Sequence, residues 1–224
     1  MNMYTSLMLI LLVLSTFSSY AIEQPADFEV DDQSRLVVFG EIHGRPDLQG
    51  LMFEYVDSLN SKDQAFDCLF SEFDISAQAK VNQFLSNELT YEESILPFVG
   101  ERLNLLPKTL ALDAKARGLK IIPIDFKYQS EQGRRFFSHT TSAKIFVEER
   151  SLLMAENILN AFNENKCQRG VFLVGQVHTW KHAFEEGNLI QIKSVQNYLD
   201  ELNISAKTYL LHNNGLSKGV SRLH

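Results

Sequence analysis

The sequence is poor in positive charge, in cysteine and in long apolar runs, and each shortage removes a class of protein. Its 21 Lys and Arg are outnumbered by 28 Asp and Glu, leaving a net charge of −7. That balance disfavours nucleic acid and anionic membrane surfaces as partners, because phosphate binding wants excess Lys and Arg. No basic cluster offsets the average: Arg134-Arg135 is the one adjacent basic pair, and it reads as a solvated turn. There are two cysteines, Cys68 and Cys167, and neither lies in a motif that makes a nucleophile or a zinc ligand. No G-x-S-x-G occurs, so the elbow that activates a serine in many hydrolases is missing. No apolar run reaches the roughly 20 residues that a spanning helix needs.

The start of the chain does not read as folded structure. Residues 7 to 14, LMLILLVL, are a short apolar core followed by polar STFSS. Ser19-Tyr20-Ala21 has the small-x-small form of a signal-peptidase site, so cleavage after Ala21 and export to a periplasm or the cell exterior are expected. The basic residues that usually precede such a core are missing, and no Cys follows it for acylation. No stable membrane anchor is expected after cleavage. Residues 22 to 224 are then one domain of ordinary size with one sizeable core.

Four runs have strand length and β-branched or aromatic content: LVVFG at 36–40, CLFSEF at 68–73, KIIPI at 120–124 and VFLV at 171–174. KTYLL at 207–211 is a fifth. Near-continuous apolar runs suit strands covered on both faces, as in parallel sheets. Helical spacing lies between them: Asp47, as a cap, to about Asn60; Ile75 to Leu85; Lys108 to Arg117, stopped by Gly118; Phe146 to Asn163; and Lys193 to Leu202. The alternation predicts a single α/β domain with a mostly parallel sheet of about five strands flanked by helices. Residues 86 to 107, with two prolines and a glycine, read as a helical insertion or lid; 127 to 143 read as loop. Both cysteines begin predicted strands, so they could share one sheet edge; pairing needs Cα atoms within about 7 Å.

In open parallel sheets, ligands bind outside the carboxyl ends of the strands. Every principal strand delivers an ionisable residue there: Glu41, His43 and Arg45 from the first, Glu72 and Asp74 from the second, Asp125 from the third and His178 from the fourth. Glu41 and His43, two apart, share a face if the chain stays extended. Glu72 adjoins an apolar run, so it must be paired or tuned as an acid. Asp74 and Asp125 also read as caps of the helices that follow. His139, His182, His212 and His224 have no supporting context, with His182 a minor candidate because it is near His178.

Gly40-Glu41-Ile42-His43, Ser71-Glu72, Glu149-Arg150…Met154-Ala155 and Val174-Gly175-Gln176-Val177-His178 follow one another in a familiar order. The chain resembles the superfamily that joins erythromycin esterases, ChaN-type haem-binding uptake proteins, the TraB/PrgY group and the Tiki proteases, from about Leu36 to Leu211. In length and in ALDAKARGLKIIPID it looks most like the ChaN-type branch, although it has no lipobox and carries Leu48-Gln49 where that branch tends to have further histidines. The resemblance implies a site of Glu41, His43, Glu72, Arg150 and His178. An arginine there could pair with Glu72 or bind a substrate carboxylate or oxyanion.

Three readings follow. In a hydrolase of ester or peptide bonds, His43 or His178 is the base towards water and a glutamate orients it. That enzyme is metal-free, or His43, His178, Glu41 and Glu72 hold a Zn or Mn ion. In a ChaN-type haem-binding protein, aromatic residues such as Tyr91, Phe98 and Tyr128 wall a cleft, unless they are core. In a binding module, the fold remains without turnover. The expected partner is a small-molecule or peptide substrate, or haem.

Overall fold

The computed structural model describes residues 34–42, 45–60, 65–98, 106–126, 143–185, 188–213 and 218–222. The predicted cleavage site, His43, the loop at 127–142, Tyr128, Arg134-Arg135, His139 and His224 lie outside the described residues. Among those described, no helix is long and apolar enough to cross a membrane.

Five parallel strands form the centre: β1 (Leu36–Glu41), β2 (Cys68–Asp74), β3 (Lys120–Asp125), β4 (Gly170–Gly175) and β7 (Ala206–Asn213). Their spatial order is β3-β2-β4-β1-β7. A sixth strand, β8 (Lys218–Arg222), pairs antiparallel on β7. A separate antiparallel hairpin joins β5 (His182–Glu185) to β6 (Asn188–Gln191). The apolar runs predict all five parallel strands to within two residues at either end. β5, β6 and β8 are not predicted, because edge and hairpin strands need no two-sided apolar run to form.

Six helices cover the sheet: α1 (Pro46–Asn60), α2 (Gln78–Leu85), α3 (Tyr91–Ser94), α4 (Lys108–Ala116), α5 (Ala143–Asn163) and α6 (Val195–Glu201). Alternation along the strands divides the core in two. Val37, Phe39, Leu69, Phe73, Ile121 and Leu173 pack against α1 to α4. Leu36, Val38, Phe70, Ile122, Phe172 and Val174 pack against α5 and α6. Asp47 is not the cap of α1. The helix opens at Pro46, whose fixed φ suits the first helical position, and Asp47 instead takes a bidentate bond from Arg45 at 3.0 and 2.9 Å. Gly118, at φ +69°, ends the α4 segment as its sequence predicts.

Cys68 and Cys167 form a disulfide with Cα atoms 5.8 Å apart, at the amino edge of β2 and β4. The chain leaves β2 toward β3 and leaves β4 toward β7, in opposite directions along the sheet. A crevice at the carboxyl ends of β2 and β4 follows from that reversal.

Candidate active site

The centre of the rim is an ion cluster. Glu72, near the end of β2, faces α5, and Arg150 rises from that helix to meet it. The same Arg150 Nη2 reaches Asp125 at the end of β3, and its Nε donates to Asp125 Oδ1 at 3.3 Å. The backbone fixes both carboxylates: Gly175 N donates to Glu72 Oε2 at 2.9 Å, and Phe126 N to Asp125 Oδ1 at 2.7 Å. All three side chains are buried. Buried charges persist only when paired and hydrogen-bonded, and one guanidinium between two carboxylates, each also fixed by a backbone N–H, goes toward that demand. Arg150 also stands 5.1 Å from the Phe146 ring centroid. Of the two roles open to this arginine, pairing with Glu72 is the one observed.

β4 continues into a short turn of 3-10 helix, Gln176–Thr179, that carries His178. The imidazole is 1% exposed. Its Nδ1 lies 2.9 Å from Ser151 Oγ on α5. Its Nε2 stands 3.5 Å from Glu72 Oε1, and among the described residues no hydrogen bond reaches that nitrogen. The turn packs over β1 because Gly40 has no side chain. A Cβ there would come within 2.8 Å of Thr179 Cγ2 and 3.0 Å of Thr179 Oγ1. Thr179 in turn donates to Gln176 O at 2.7 Å and closes the turn.

Glu41 ends β1 in register with Gly175. It points to the α1 side, where Gln49 Nε2 donates to its Oε2 at 3.2 Å. Gln49 Oε1 is buried without a hydrogen bond of its own. Arg45 is held by Asp47, whose hydrogen bonds and charge keep the guanidinium above its ordinary pKa. Asp74 is a cap, as its alternative reading has it: its Oδ1 accepts from Ser76 N at 2.8 Å. His182 lies on β5 and is exposed.

The sequence-derived set therefore divides. Glu72, Arg150 and His178 come together, Glu41 stands one strand further along the rim, and His43 is outside the described residues. Asp125 was weighed mainly as a helix cap, and it proves to be the second carboxylate of the cluster. Ser151 carried no signal beyond standing next to Arg150, and Gln49 none beyond standing one turn into α1.

The proposed metal set is incomplete among the described residues, because His43 lies outside them. Glu41, Glu72 and His178 do not gather their donor atoms, and the one triple within 4.8 Å is Asp67, Cys68 and Cys167 at the opposite edge, where the sulfurs are joined to each other. Of the three aromatic residues expected to wall a cleft, Tyr128 lies outside the described residues. Tyr91 is buried and donates to Leu106 O at 2.8 Å, and Phe98 packs edge-on against Phe73.

No protein-family model matches the chain, and a search of curated proteins finds no match. Solved structures do share its fold. One is RRSP, a MARTX toxin effector domain from Vibrio vulnificus, at TM-score 0.56 and 14% identity over 86% of this chain and 35% of that one. Another is the C-terminal region of Pasteurella multocida toxin, described with a thiol-protease-like catalytic triad, at TM-score 0.53 and 12% identity over 84% of this chain and 24% of that one. ChaN of Campylobacter jejuni, described with cofacial haem binding, aligns at TM-score 0.47 and 10% identity over 86% of this chain and 89% of that one. The chain spans about a third of the length of the first of these toxin chains and about a quarter of the second. For the two toxins, at such identities, the likeness is one of fold.

Proposed function

We propose that the chain is an exported hydrolase of ester or peptide bonds, working at the carboxyl rim of its sheet. His178, His43 and Glu41 divide the acid–base work, and Glu72 and Arg150 hold His178 in place. The observation that carries this reading is His178 Nε2. It is a buried ring nitrogen with no hydrogen bond among the described residues, beside a carboxylate that is itself locked by a guanidinium and a backbone N–H. An unmet buried polar atom costs about 1–3 kcal/mol, and such atoms call for an explanation, of which a role in chemistry is one.

A thiol route has no support here, because both cysteines are joined in the disulfide at the far edge of the sheet. Arg150 is already engaged by two carboxylates, so it serves as an electrostatic anchor and not as an oxyanion donor. Export rests on the apolar segment and the small-x-small site at residues 19 to 21.

The test is a screen of chromogenic esters and fluorogenic peptides against protein recovered from an export host, with metal analysis and an absorbance spectrum on the same sample. Turnover that disappears in His178→Ala supports the reading. Iron with a Soret band, and no turnover, would replace it with haem binding.

A further inference from the structure

The Ser151–His178 contact decides how the imidazole carries its proton. Ser151 is fully buried on α5, and its Oγ lies 2.9 Å from Nδ1. Hydrogen positions are assigned from the surrounding network, and here the two neutral arrangements differ sharply. In one, Nδ1–H donates to Ser151 Oγ. The serine proton is then buried with no acceptor among the described residues, and the Nε2 lone pair faces the Glu72 carboxylate 3.5 Å away. In the other, the serine hydroxyl donates to Nδ1 and Nε2–H faces that carboxylate. The first arrangement leaves a buried donor unmet and sets two acceptors against each other, both costly where water is excluded. The second gives the serine proton an acceptor and turns Nε2–H toward the carboxylate, an attractive contact at 3.5 Å although not a hydrogen bond.

We infer that Ser151 is a positioning residue: it donates its hydroxyl proton to His178 Nδ1 and fixes the imidazole as the tautomer protonated at Nε2. For the mechanism this deepens, and rests on, the hydrolase reading above. A ring that presents N–H at Nε2 is a donor. It can hydrogen-bond the oxygen that becomes negative when water adds to a carbonyl, without itself losing a proton. In that step the water O–H bond breaks and its proton passes to a carboxylate base, for which Glu41 at the end of β1 is the candidate. The water oxygen bonds to the carbonyl carbon, and the carbonyl π pair moves onto the carbonyl oxygen, which takes the Nε2–H hydrogen bond in place of the Glu72 contact. His178 is thereby assigned the electrophilic role, and the base is on β1.

The test needs no substrate. The full chain is labelled with ¹⁵N-histidine, and long-range ¹H–¹⁵N correlations at neutral pH are compared for wild type, Ser151→Ala and Ser151→Thr, with His178→Gln to assign the ring. The expected result is a His178 ring protonated at Nε2 and bare at Nδ1 in wild type. Ser151→Thr keeps that pattern because it keeps the hydroxyl. In Ser151→Ala the bare Nδ1 loses its donor, so its ¹⁵N resonance shifts even where the proton stays on Nε2. A wild-type ring protonated at Nδ1, or at both nitrogens, overturns the inference, as does a Ser151→Ala ring indistinguishable from wild type. If Ser151→Ala does not fold, the wild-type spectrum alone decides. A failed substrate screen leaves this measurement standing, and the reverse also holds, so the two claims fail separately.

Discussion

Glu72 and Arg150, 78 residues apart in the sequence, meet as a buried ion pair at the end of β2. The pair does not stand alone, because Asp125 shares the same guanidinium. Removing the arginine therefore takes a charged partner from two buried carboxylates at once. Arg150→Met is expected to destabilise the fold by about 3–5 kcal/mol, the usual cost of breaking a buried pair from one side. Arg150→Lys should recover only part, since a single ammonium cannot reproduce a planar fork shared between two acids. Urea unfolding of the three proteins measures this, and an unchanged midpoint in Arg150→Met would show that the cluster is not what anchors the rim.

A mutational expectation about catalysis changes with that geometry. From sequence alone, Glu72→Ala looks like a clean way to stop turnover without disturbing the fold. With Arg150 and Gly175 N both bonded to Glu72, the alanine variant unbalances a buried cation as well. His178→Ala and Glu72→Gln are the better pair, because glutamine keeps the shape and an acceptor for Gly175 N. His178→Ala should lower turnover by about 10²-fold or more, the low end of what a positioned acid–base group contributes. Glu72→Gln should fall between that and wild type. Equal activity in all three, on any substrate found, would remove His178 from the chemistry.

How much of this was legible beforehand depended on whether the signal was local. The five parallel strands were readable because burial on both faces imposes continuous apolar runs, and the rim residues because each stands at the end of such a run. Arg150 was different. Nothing in the spacing of ERSLLMAENI marks it, and only a resemblance in the order of short motifs points to it. Asp125 was visible but misweighted, since a strand-end aspartate caps a turn as readily as it meets an arginine from another layer. Ser151 and Gln49 were not legible at all. Their roles come from contacts across 27 and 8 residues that only the packed layers create. The same holds for the edge strand β8 and the β5–β6 hairpin, whose residues carry no two-sided apolar pattern.

The disulfide offers a control that is remote from the rim. Cys68 and Cys167 are 99 residues apart and close at the amino edge of the sheet, while the candidate site is at the carboxyl edge. Closing a loop of that length restricts the unfolded chain strongly, and losing such a native bridge typically costs about 2–5 kcal/mol. The double variant Cys68→Ala/Cys167→Ala should melt earlier by the corresponding amount. Any turnover per folded molecule should be unchanged, because neither cysteine touches the cluster. A loss of turnover at temperatures where the variant is fully folded would mean that the two edges of the sheet are coupled.

Gly40 ties the fold to the site most directly. It lies in β1, yet its missing side chain is what lets the Gln176–Thr179 turn approach, and that turn carries His178. Gly40→Ala places a methyl 2.8 Å from Thr179 Cγ2 and 3.4 Å from Gln176 Cα. Thr179 is buried and branched at Cβ, so it has little freedom to yield. Overpacking of this kind costs about 1–3 kcal/mol and should also shift His178 away from Ser151 and Glu72. Thr179→Ala removes both clashing atoms, at the loss of one hydrogen bond to Gln176 O. The double variant should therefore be less unstable than the sum of the two singles, with a coupling of about 0.5–3 kcal/mol expected for residues in contact. Measuring the four stabilities by chemical denaturation gives that coupling. Strict additivity would mean that the turn relaxes without Thr179, and that Gly40 serves the strand and not the histidine beside it.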